Sequence, residues 1–416
     1  MSLNDTPISP FRTTHNILTH NFISILTYQH INSLVIVVNI FWLIVLLYGL
    51  FNLSLLLTWL RMKPFQPDSA GGSTQLSVVI VVRNEEDNIV QLLEDLDWQS
   101  YPAHLFEVII ADDGSTDETF GLVEQYRKRA RYTLSIFSLP ADPTTASPKK
   151  KGITEAIASA RGELIVHTDG DCRVSASWLE LLENAYRSQQ ACLISGAVTF
   201  TEERGLLEKM QTVEFASLTG SGACALSWGF PTMCNGANLA YPKAVFEAVG
   251  GFSGIDHLAS GDDELLMHKI ARRYPGRLFF LKHVDSVVHT RAQATLGALY
   301  QQRKRWASKW DAYQDPKISM LAVFVFISNA GLLLAAVLTA LGWYPFSAFI
   351  LQALVKLLAE FLPLSCFLAY LQKPGLAIKR ILLIPLVQVI YPFYVSFFGL
   401  AAQRKGFEWK GRKLNN

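Results

Sequence analysis

The sequence predicts an α/β fold, with a mostly parallel sheet flanked by helices and with transmembrane α-helices at both ends of the chain. Apolar runs alternate with amphipathic stretches from Leu76 onward, and this alternation is typical of βαβ units. The flanking regions are nearly free of charge, and residues 1–60 hold only Asp5 and Arg12. Only 17% of the chain is charged, against about 25% in soluble proteins. A wholly soluble enzyme, a disordered protein and a pure multispan channel are therefore excluded.

The first element is a transmembrane helix predicted over 31–60, after a short tail over 1–30. Residues 31–60 contain neither charge nor histidine, and about 20 apolar residues suffice to span a bilayer. Arg61 and Lys63 follow directly, so the positive-inside rule places the next segment in the cytoplasm.

A soluble domain is predicted between residues 74 and 318. Its strands are predicted at 76–82, 106–113, 132–139, 163–171 and 192–200. Its helices are predicted at 85–98, from Asp117, at 152–160 and at 175–188. Ligands bind beyond the carboxyl ends of the strands in open α/β sheets, and polar clusters follow the first, second and fourth strands. No G-x-G-x-x-G follows the first strand, which opposes a dinucleotide-binding fold.

The C-terminal membrane region is predicted over 319–402, with two to three spans. Its three apolar blocks are 319–343, 345–371 and 381–402. Lys356 and Glu360 stand at i, i+4 spacing in the second block, where they face a bundle interior or lie on a tilted interfacial helix. The loop before the third block and the tail over 403–416 are both basic, so both prefer the cytoplasm. We therefore expect 381–402 to be re-entrant or interfacial.

Charge and cysteine content narrow the range of partners. The net charge of +2 is too small to indicate binding of nucleic acid. The five cysteines include no C-x-x-C pair, so neither a disulfide framework nor a zinc site is expected. The lipid bilayer is therefore an expected partner and nucleic acid is not, and the sequence does not identify any protein partner.

Two carboxylates at the end of the fourth predicted strand suggest a metal site. Asp169 and Asp171 are two residues apart, so their side chains project the same way from a strand. Such a pair suits Mg²⁺ or Mn²⁺ carrying a diphosphate, although an ordinary Asp-Gly turn has the same sequence. Lys149 and Lys150 precede a predicted helix and either bind the same diphosphate or belong to a solvated loop.

Three further polar groups carry chemistry. The run S-G-D-D-E at 260–264 opens a helix and is more polar than capping requires, which indicates a general-base carboxylate. Asp113 either hydrogen-bonds a nucleoside or caps a turn. The segment that begins at Gln302 either binds phosphate through Arg305 and stacks Trp306 on a sugar, or forms a basic and aromatic belt at the membrane surface.

These residues lie in motifs that appear in a characteristic order. The motifs are RNEEDNI, DDGSTD, KKKGITEAI, ARGELIVHTDGD, MCNGANLAYPKAVFEAVGGF, SGDDELL and QQRKRW. As a set, over about residues 74–310, they resemble a membrane-integrated family 2 glycosyltransferase with a GT-A fold. The resemblance implies an inverting β-glycosyltransferase, a hexosyltransferase that uses a nucleotide-diphospho-sugar, usually UDP-linked, and a divalent cation, Mg²⁺ or Mn²⁺.

The resemblance also implies a role for each matching residue. Asp263 matches the second acid of the T-E-D element and is the expected catalytic base, and Asp171 and Asp169 match D-x-D and are the expected metal ligands. The expected donor-binding residues are Arg83, Glu85, Asp113, Lys149, Lys150, Asp169, Gln302 and Arg305. The expected acceptor-binding residues are Trp306 and Asp262. The sequence departs from the family pattern in having G-D-D in place of T-E-D, which shortens the acid that precedes the base.

The function expected from this pattern is transfer of one sugar to a lipid-type acceptor in the membrane, because four apolar segments are few for a polysaccharide channel. A processive synthase extending a β-linked glycan carries the same motifs. A dead transferase acting as a sugar-sensing or transport scaffold is opposed by the intact Asp171, Asp263 and Arg305, and a nucleotidyltransferase would release pyrophosphate instead. The apolar stretch 216–230 suits an acceptor lobe or a core helix. We expect the protein to lie in the bacterial inner membrane, with its catalytic domain in the cytoplasm.

Overall fold

The protein is described by a computed structural model over residues 11–68, 71–140, 146–309, 312–313, 315–401, 406–410 and 412–414. The strands are β1 (Leu76–Val82), β2 (Phe106–Asp112), β3 (Thr133–Ser138), β4 (Leu164–His167), β5 (Leu193–Gly196), β6 (Val198–Thr201), β7 (Leu239–Pro242), β8 (Leu278–Leu281), β9 (Val288–Arg291), β10 (Phe407–Trp409) and β11 (Arg412–Leu414).

One long helix precedes the sheet, further helices alternate with the strands, and the last five of those described follow one another. They are α1 (Phe11–Arg61), α2 (Ile89–Asp97), α3 (Thr119–Arg127), α4 (Pro148–Ser159), α5 (Trp178–Gln189), α6 (Leu206–Ser227), α7 (Lys243–Ala248), α8 (Glu264–Arg273), α9 (Leu296–Ala307), α10 (Pro316–Ala340), α11 (Phe346–Leu371), α12 (Pro374–Ile381) and α13 (Ile384–Ala401).

A seven-stranded sheet in the order β3-β2-β1-β4-β7-β5-β8 lies at the centre of the soluble domain. The pairs from β3 through β4 and the β5–β8 pair are parallel, and β7 runs antiparallel to both of its neighbours. Every residue of β1 is buried, as expected for a strand covered on both faces. The predicted fold class, a mostly parallel sheet between layers of helices, is confirmed.

Alternate residues of β1 pack into two separate cores, one on each face of the sheet. Val78 and Ile80 contact the apolar sides of α2 and α5. Val79 and Val81 belong to the opposite core, which includes residues of α4, α7 and α8. The helices therefore hold the sheet from both sides, and the carboxyl ends of the parallel strands open at one edge.

Three element boundaries differ from prediction in ways that affect the site. The expected strand over 163–171 ends at His167, so the acidic pair lies in a turn. The expected fifth strand is two strands, because Asn238 packs against Gly196 and its amide donates to the carbonyl of Ala197 at 2.8 Å. Helix α4 starts at Pro148, with Ser147 as its N-cap. Lys149 and Lys150, which were expected to precede the helix, therefore lie in its first turn.

The membrane region consists of three helices of sufficient length and apolarity to cross a bilayer, within the described part of the chain. They are α10, α11 and the Leu34–Arg61 portion of α1, which starts at Phe11 instead of near residue 31. Residues 1–10 of the expected tail lie outside the described residues. Helices α12 and α13 pass the same test as a pair but bend by 57° at the break between them.

The intramembrane ion pair faces the helix bundle. Lys356 and Glu360 are both buried, and their side chains are joined by an ion pair of 2.7 Å between Nζ and Oε1. Tyr48 of α1 donates from its hydroxyl to the same carboxylate at 2.8 Å. Of the two arrangements considered for this pair, the structure has the interior one, because α1 packs against α11 at this level.

The segment containing α13 contacts the soluble domain at both of its ends. Before it, Arg380 forms a buried ion pair of 3.0 Å with Glu203. After it, Lys410 in the turn between β10 and β11 forms an ion pair with Glu85 at the end of β1. A full span would carry these two ends to opposite faces of the bilayer. These contacts support the re-entrant or interfacial path expected for 381–402, which stays a prediction.

Candidate active site

The loops after β1 and β2 are joined by hydrogen bonds at the open edge of the sheet. Arg83 donates through Nη1 to the carbonyls of Asp113 and Gly114, at 2.5 and 2.7 Å. Asn84 adopts a positive φ of 51°, and its Oδ1 accepts from the backbone N–H of Thr116 at 2.8 Å. The two predicted polar clusters therefore form one rigid rim.

Asp113 is buried at this rim, and only one of its two carboxylate oxygens has a hydrogen-bond partner among the described residues. Its Oδ1 accepts a hydrogen bond from Arg412 Nη1 at 2.7 Å. Its Oδ2 is buried and has no partner among the described residues. Burial raises the pKa of the Asp113 carboxyl, and the charge of Arg412 partly offsets that rise. An unpaired buried acceptor is costly, so a donor group that reached Oδ2 would stabilise it.

Asp169 and Asp171 stand at the mouth of a cavity, in the turn after β4. The Asp169 side chain is 37% exposed and accepts from Lys149, and Asp171 Oδ2 accepts from Thr290 Oγ1 at 3.1 Å. Burial and the neighbouring charge of Asp169 raise the pKa of Asp171.

The mutual repulsion of these two carboxylates would be relieved by a divalent cation, so the residues fit the expected metal. Among the described residues, no cluster of three or more His, Cys, Asp or Glu side chains is positioned to hold a metal ion. A cation on Asp169 and Asp171 would therefore take its remaining ligands from a bound diphosphate and water, as Mg²⁺ commonly does.

Lys149 and Lys150, adjacent in sequence, point to different partners. Lys149 bridges Asp169 and Asp262, at 2.8 and 3.1 Å, and so links the metal turn to the start of α8. Lys150 Nζ donates to the carbonyls of Ile255, Leu258 and Ser260, at 2.6, 2.7 and 2.9 Å, and its side chain is buried. Donor binding by Lys150 is therefore not supported, because its three hydrogens are already used to hold the 255–260 loop.

The two aspartates before α8 have different environments. Burial acts to raise the pKa of Asp262, but the Lys149 ammonium outweighs it and holds that pKa at about 2. Asp263 is the N-cap of α8: its Oδ1 accepts from Glu264 N at 2.7 Å, and its Oδ2 accepts from Gly236 N at 3.0 Å. Burial raises the pKa of Asp263, and the charge of Asp262 adds to the rise. A raised pKa is the property that a general base requires.

The backbone conformation explains why glycine stands at position 261, where the family pattern has threonine. Gly261 adopts a φ of 83°, a conformation that side chains other than glycine rarely adopt. A Cβ at this position would also lie 2.7 Å from Leu265 Cδ1. Glycine therefore suits the backbone at position 261, and the carboxylate of Asp263 lies at the start of α8.

Helix α9 carries the Q-x-x-R-W residues, with different arginines in different roles. Arg303 is buried: it forms an ion pair of 2.5 Å with Glu214 and lies 4.2 Å over the Trp306 ring. Gln302 Oε1 accepts from Arg303 Nη1 at 2.5 Å. Arg305 is half-buried, and its charge helps to lower the pKa of Asp262. The structural arginine of this helix, Arg303, was not identified from the sequence.

A cavity of about 1730 Å³ joins these groups to the membrane helices. All of the expected site residues except Asp113 and Lys150 line it: Arg83, Glu85, Lys149, Asp169, Asp171, Asp262, Asp263, Gln302, Arg305 and Trp306. At its other end the lining is supplied by α1, α10 and α11, including Leu55, Val325 and Phe367. The cavity therefore connects an acidic rim at the sheet edge with an apolar space between membrane helices.

Two cations at this rim come from the C-terminal hairpin and were not predicted. Lys410 contacts Glu85 and Arg412 contacts Asp113. The sequence predicts that both residues belong to a basic cytoplasmic tail. Their sequence signal, a pair of cations beside a Trp-Lys-Gly turn, is too weak to identify a site.

The sheet, the acidic turn after β4, the acidic start of α8 and the Q-x-x-R-W helix together define a glycosyltransferase with a GT-A-like fold. The chain belongs to glycosyl transferase family 21, whose sequence model matches residues 37–415. The expectation of a glycosyltransferase is confirmed at this level, although the family that matches is family 21, where the motifs had indicated family 2.

Similar proteins include several glycosyltransferases. Glycosyltransferase AglE of Haloferax volcanii is 28% identical over 188 residues, which cover 45% of this chain and 58% of that protein. Poly-beta-1,6-N-acetyl-D-glucosamine synthase of Staphylococcus epidermidis is 21% identical over 260 residues, which cover 59% of this chain and 59% of that protein. Dodecaprenyl-phosphate galacturonate synthase of Rhizobium johnstonii is 37% identical over 101 residues, which cover 24% of this chain and 28% of that protein. Each match spans less than two thirds of the relative's own length.

A solved structure shares the fold. The mannosyltransferase PcManGT from Pyrobaculum calidifontis, in complex with GDP-Man and Mn²⁺, superimposes with a TM-score of 0.52 at 18% identity. The superposition covers 89% of this chain and 96% of PcManGT. The similarity therefore concerns the fold and extends beyond the residues of the soluble domain.

Proposed function

We propose that this protein is an inverting β-glycosyltransferase that moves a sugar from a nucleotide-diphospho-sugar to a hydroxyl group of a lipid acceptor in the membrane. The observation that carries the proposal is the single cavity, which joins the acidic rim at Asp171 and Asp263 to apolar side chains of three membrane helices. A donor at the rim and a lipid held between the helices would meet near Asp263.

The donor end of the cavity suits a metal-bound nucleotide diphosphate. Asp169 and Asp171 would hold a divalent cation, which neutralises diphosphate charge and stabilises the leaving group when it is bound. The unpaired Oδ2 of Asp113 would accept a hydrogen bond from the nucleoside once the rim beside it admits the donor. Arg305 lines the same space and would bind phosphate oxygens. The motif resemblance favours UDP, whereas the structurally similar mannosyltransferase holds GDP-Man, so both nucleotides belong in the test.

Asp263 would act as the general base. The acceptor oxygen bonds to C1 of the sugar, the C1–O bond to the diphosphate breaks, and the electron pair leaves with the nucleoside diphosphate. The hydroxyl proton passes to Asp263, whose raised pKa makes it a better base than an ordinary aspartate. The backbone N–H of Gly236 and the N-cap hydrogen bond to Glu264 fix the orientation of the carboxylate. Attack opposite the leaving group inverts the anomeric centre.

Helix α6 supports a lipid-type acceptor. It includes most of the stretch 216–230, and Phe215, Leu218 and Gly222 line the cavity while other residues of the helix pack in the core against α11. The core packing agrees with the second role considered for this stretch, and the cavity-lining residues support the acceptor role that we propose. The acceptor portion that it contacts would be apolar, with the reacting hydroxyl directed to the rim.

A processive synthase remains the second candidate, and one observation favours it. The membrane end of the cavity also carries polar side chains, namely Tyr48, Asn52 and Glu360, which suit a glycan more than an alkyl chain. Of these, Glu360 keeps its Oε2 without a partner among the described residues. Product size separates the two candidates.

The test uses membranes that contain the full chain. They are incubated with Mn²⁺ and radiolabelled UDP-glucose, UDP-galactose, UDP-N-acetylglucosamine or GDP-mannose, and the product is extracted with chloroform and methanol. We expect label in the lipid extract as a single β-linked sugar, cleavable by a β-specific glycosidase, and absent from Asp263→Asn membranes. Label retained as insoluble polymer would favour the synthase, and no transfer from any donor would contradict the proposal.

A further inference from the structure

The C-terminal hairpin lies against the donor end of the cavity. Strands β10 and β11 pair antiparallel around Lys410, whose positive φ of 45° suits a tight turn. β10 packs beside α9, and Lys410 and Gly406 line the cavity together with Asp169 and Asp171. Chain that follows the last membrane helix thus returns to the edge of the sheet.

Lys410 is bonded to the loop after β1 by side chain and backbone. Its Nζ donates to the carbonyl of Arg83 at 2.8 Å and forms an ion pair with Glu85. Its own carbonyl accepts from Arg83 Nε at 3.3 Å. These contacts use two of the three hydrogens on the ammonium, and the charge of Lys410 also acts on Asp171.

Arg412 is bonded to the loop after β2. Its Nη1 donates to Asp113 Oδ1 at 2.7 Å, and its Nη2 approaches the backbone carbonyl of Asp113 at 3.4 Å. This arrangement engages Oδ1 of Asp113 and leaves Oδ2 without a hydrogen-bond partner among the described residues. Arg412 therefore fixes the orientation of the side chain that is proposed to receive the nucleoside.

The hairpin adds positive charge to the rim beside Arg83 and Arg305, because the two lysines at the start of α4 are already engaged. Lys149 is neutralised between Asp169 and Asp262, and Lys150 does not line the cavity because its ammonium is bonded to three backbone carbonyls of the 255–260 loop. Glu85 and Asp113 are buried carboxylates, and buried charges are stable only when they are paired. A diphosphate adds further negative charge to this end, so a cation that lines the cavity beside Asp171 is well placed to bind it.

We infer that the C-terminal hairpin completes the donor site, with Lys410 binding the diphosphate of the nucleotide and Arg412 positioning Asp113 for the nucleoside. The inference rests on the proposed function, because it requires a nucleotide-diphosphate donor. It assigns a donor-binding role to a segment that follows the whole membrane region in sequence.

The experiment measures binding of UDP and of GDP, each with Mn²⁺, to the purified full chain in detergent. The variants are Lys410→Met and Arg412→Met, with Lys128→Met as a control because Lys128 is an exposed lysine at the end of α3. We expect the Kd of the nucleotide that binds wild type to rise about 10-fold or more in both hairpin variants, the usual effect of losing one charge-assisted hydrogen bond. The control is expected to bind as wild type does.

Two further measurements exclude a loss of folding. Lys410→Arg keeps the charge and is expected to bind within about 3-fold of wild type, since arginine and lysine both bind phosphate. The KM of the donor is expected to rise in Lys410→Met about as much as the Kd of the nucleotide, whereas a partly unfolded preparation would lose turnover without a change in KM. A decrease in kcat with unchanged KM would overturn the assignment.

The possible outcomes separate this inference from the proposed function. Unchanged binding in both hairpin variants, with wild type binding nucleotide, would overturn the inference alone. Tighter binding in the variants would show that the hairpin competes with the donor, which also overturns it. Failure of wild type to bind either nucleotide would contradict the proposed function, and it would also overturn the inference, which requires a nucleotide donor.

Discussion

The Oδ2 atom of Asp263 accepts a hydrogen bond from the backbone N–H of Gly236 at 3.0 Å, so the proposed base is held by the loop before β7 as well as by its own helix. The two residues are 27 positions apart in sequence. This contact directs the carboxylate into the cavity, where Asp262 and Lys149 line the wall beside it. It also makes the loop that ends at Gly236 part of the catalytic arrangement.

Removing the basicity of Asp263 should stop transfer but not binding. Asp263→Asn keeps the shape of the side chain, and we expect the rate of sugar transfer to fall by about 10² to 10⁴-fold, the usual contribution of a general base. The measurements are turnover and Mn²⁺-dependent nucleotide binding on the same preparation. Asp256→Asn serves as the control, because the Asp256 side chain is 71% exposed. Transfer at near wild-type rates in Asp263→Asn would show that another group is the base.

The pH dependence of turnover should report the pKa of Asp263. Burial raises this pKa above the value of about 3.9 for an ordinary aspartate. Since only the ionised carboxylate accepts a proton, kcat is expected to decrease as the pH falls through the raised pKa. Asp262→Asn removes a neighbouring negative charge and should move this acid limb to lower pH, because that charge contributes to the rise. An acid limb in the same place in Asp263→Asn would contradict the assignment.

Chelation should abolish transfer. The carboxylates of Asp169 and Asp171 form the acidic turn, and burial and the charge of Asp169 raise the pKa of Asp171, so a bound cation would favour its ionised form. We expect EDTA to stop turnover and Mn²⁺ or Mg²⁺ to restore it, and we expect Asp171→Asn to weaken nucleotide binding and its metal dependence together. Full activity after exhaustive chelation would exclude this role for the pair.

The glycine between the two acids should be sensitive to a single added carbon. A Cβ at Gly170 would lie 2.9 Å from Val82 Cγ1 and 3.0 Å from Glu85 Cγ. Gly170→Ala should therefore displace the acidic turn and destabilise the fold by about 1–3 kcal/mol, the usual cost of overpacking. Thermal unfolding and Mn²⁺-dependent nucleotide binding measure the two effects. Gly121→Ala in α3, where the nearest atom would be Glu118 Oε2 at 3.5 Å, is the matched control. It should leave nucleotide binding unchanged and should not lower the unfolding temperature, because alanine favours a helix more than glycine does.

Membrane topology can be measured with single cysteines in a cysteine-free background. Lys63→Cys, Leu376→Cys and Gly411→Cys should all resist an impermeant thiol reagent in intact cells, whereas Trp343→Cys, in the exposed turn after α10, should be labelled. The basic flanks and the contacts at both ends of α13 support this arrangement. Labelling at position 411 but not at 63 or 376 would show that the third block crosses the membrane, and the hairpin would then lie away from the donor site.

The sequence by itself determined the fold class, the membrane segments and most of the site. These features depend on local periodicity and composition, which are visible within a few residues of the chain. The buried strand at Leu76–Val82 and the apolar blocks of the C-terminal half are of this kind. So is the placement of the acidic groups at strand and helix ends, because all parallel strands deliver their carboxyl ends to one edge.

Only the tertiary structure decided which of several similar side chains face the site. Lys149 and Lys150 are adjacent in sequence, yet one bridges two acids at the cavity and the other holds a loop by three carbonyls. Arg303 is bound to Glu214, 89 positions away in sequence, while Arg305 lines the cavity. Lys410 and Arg412 reach partners about 300 residues earlier in the chain. Charge and propensity are local properties, whereas these pairings depend on the path of the whole backbone, and no local pattern contains that path.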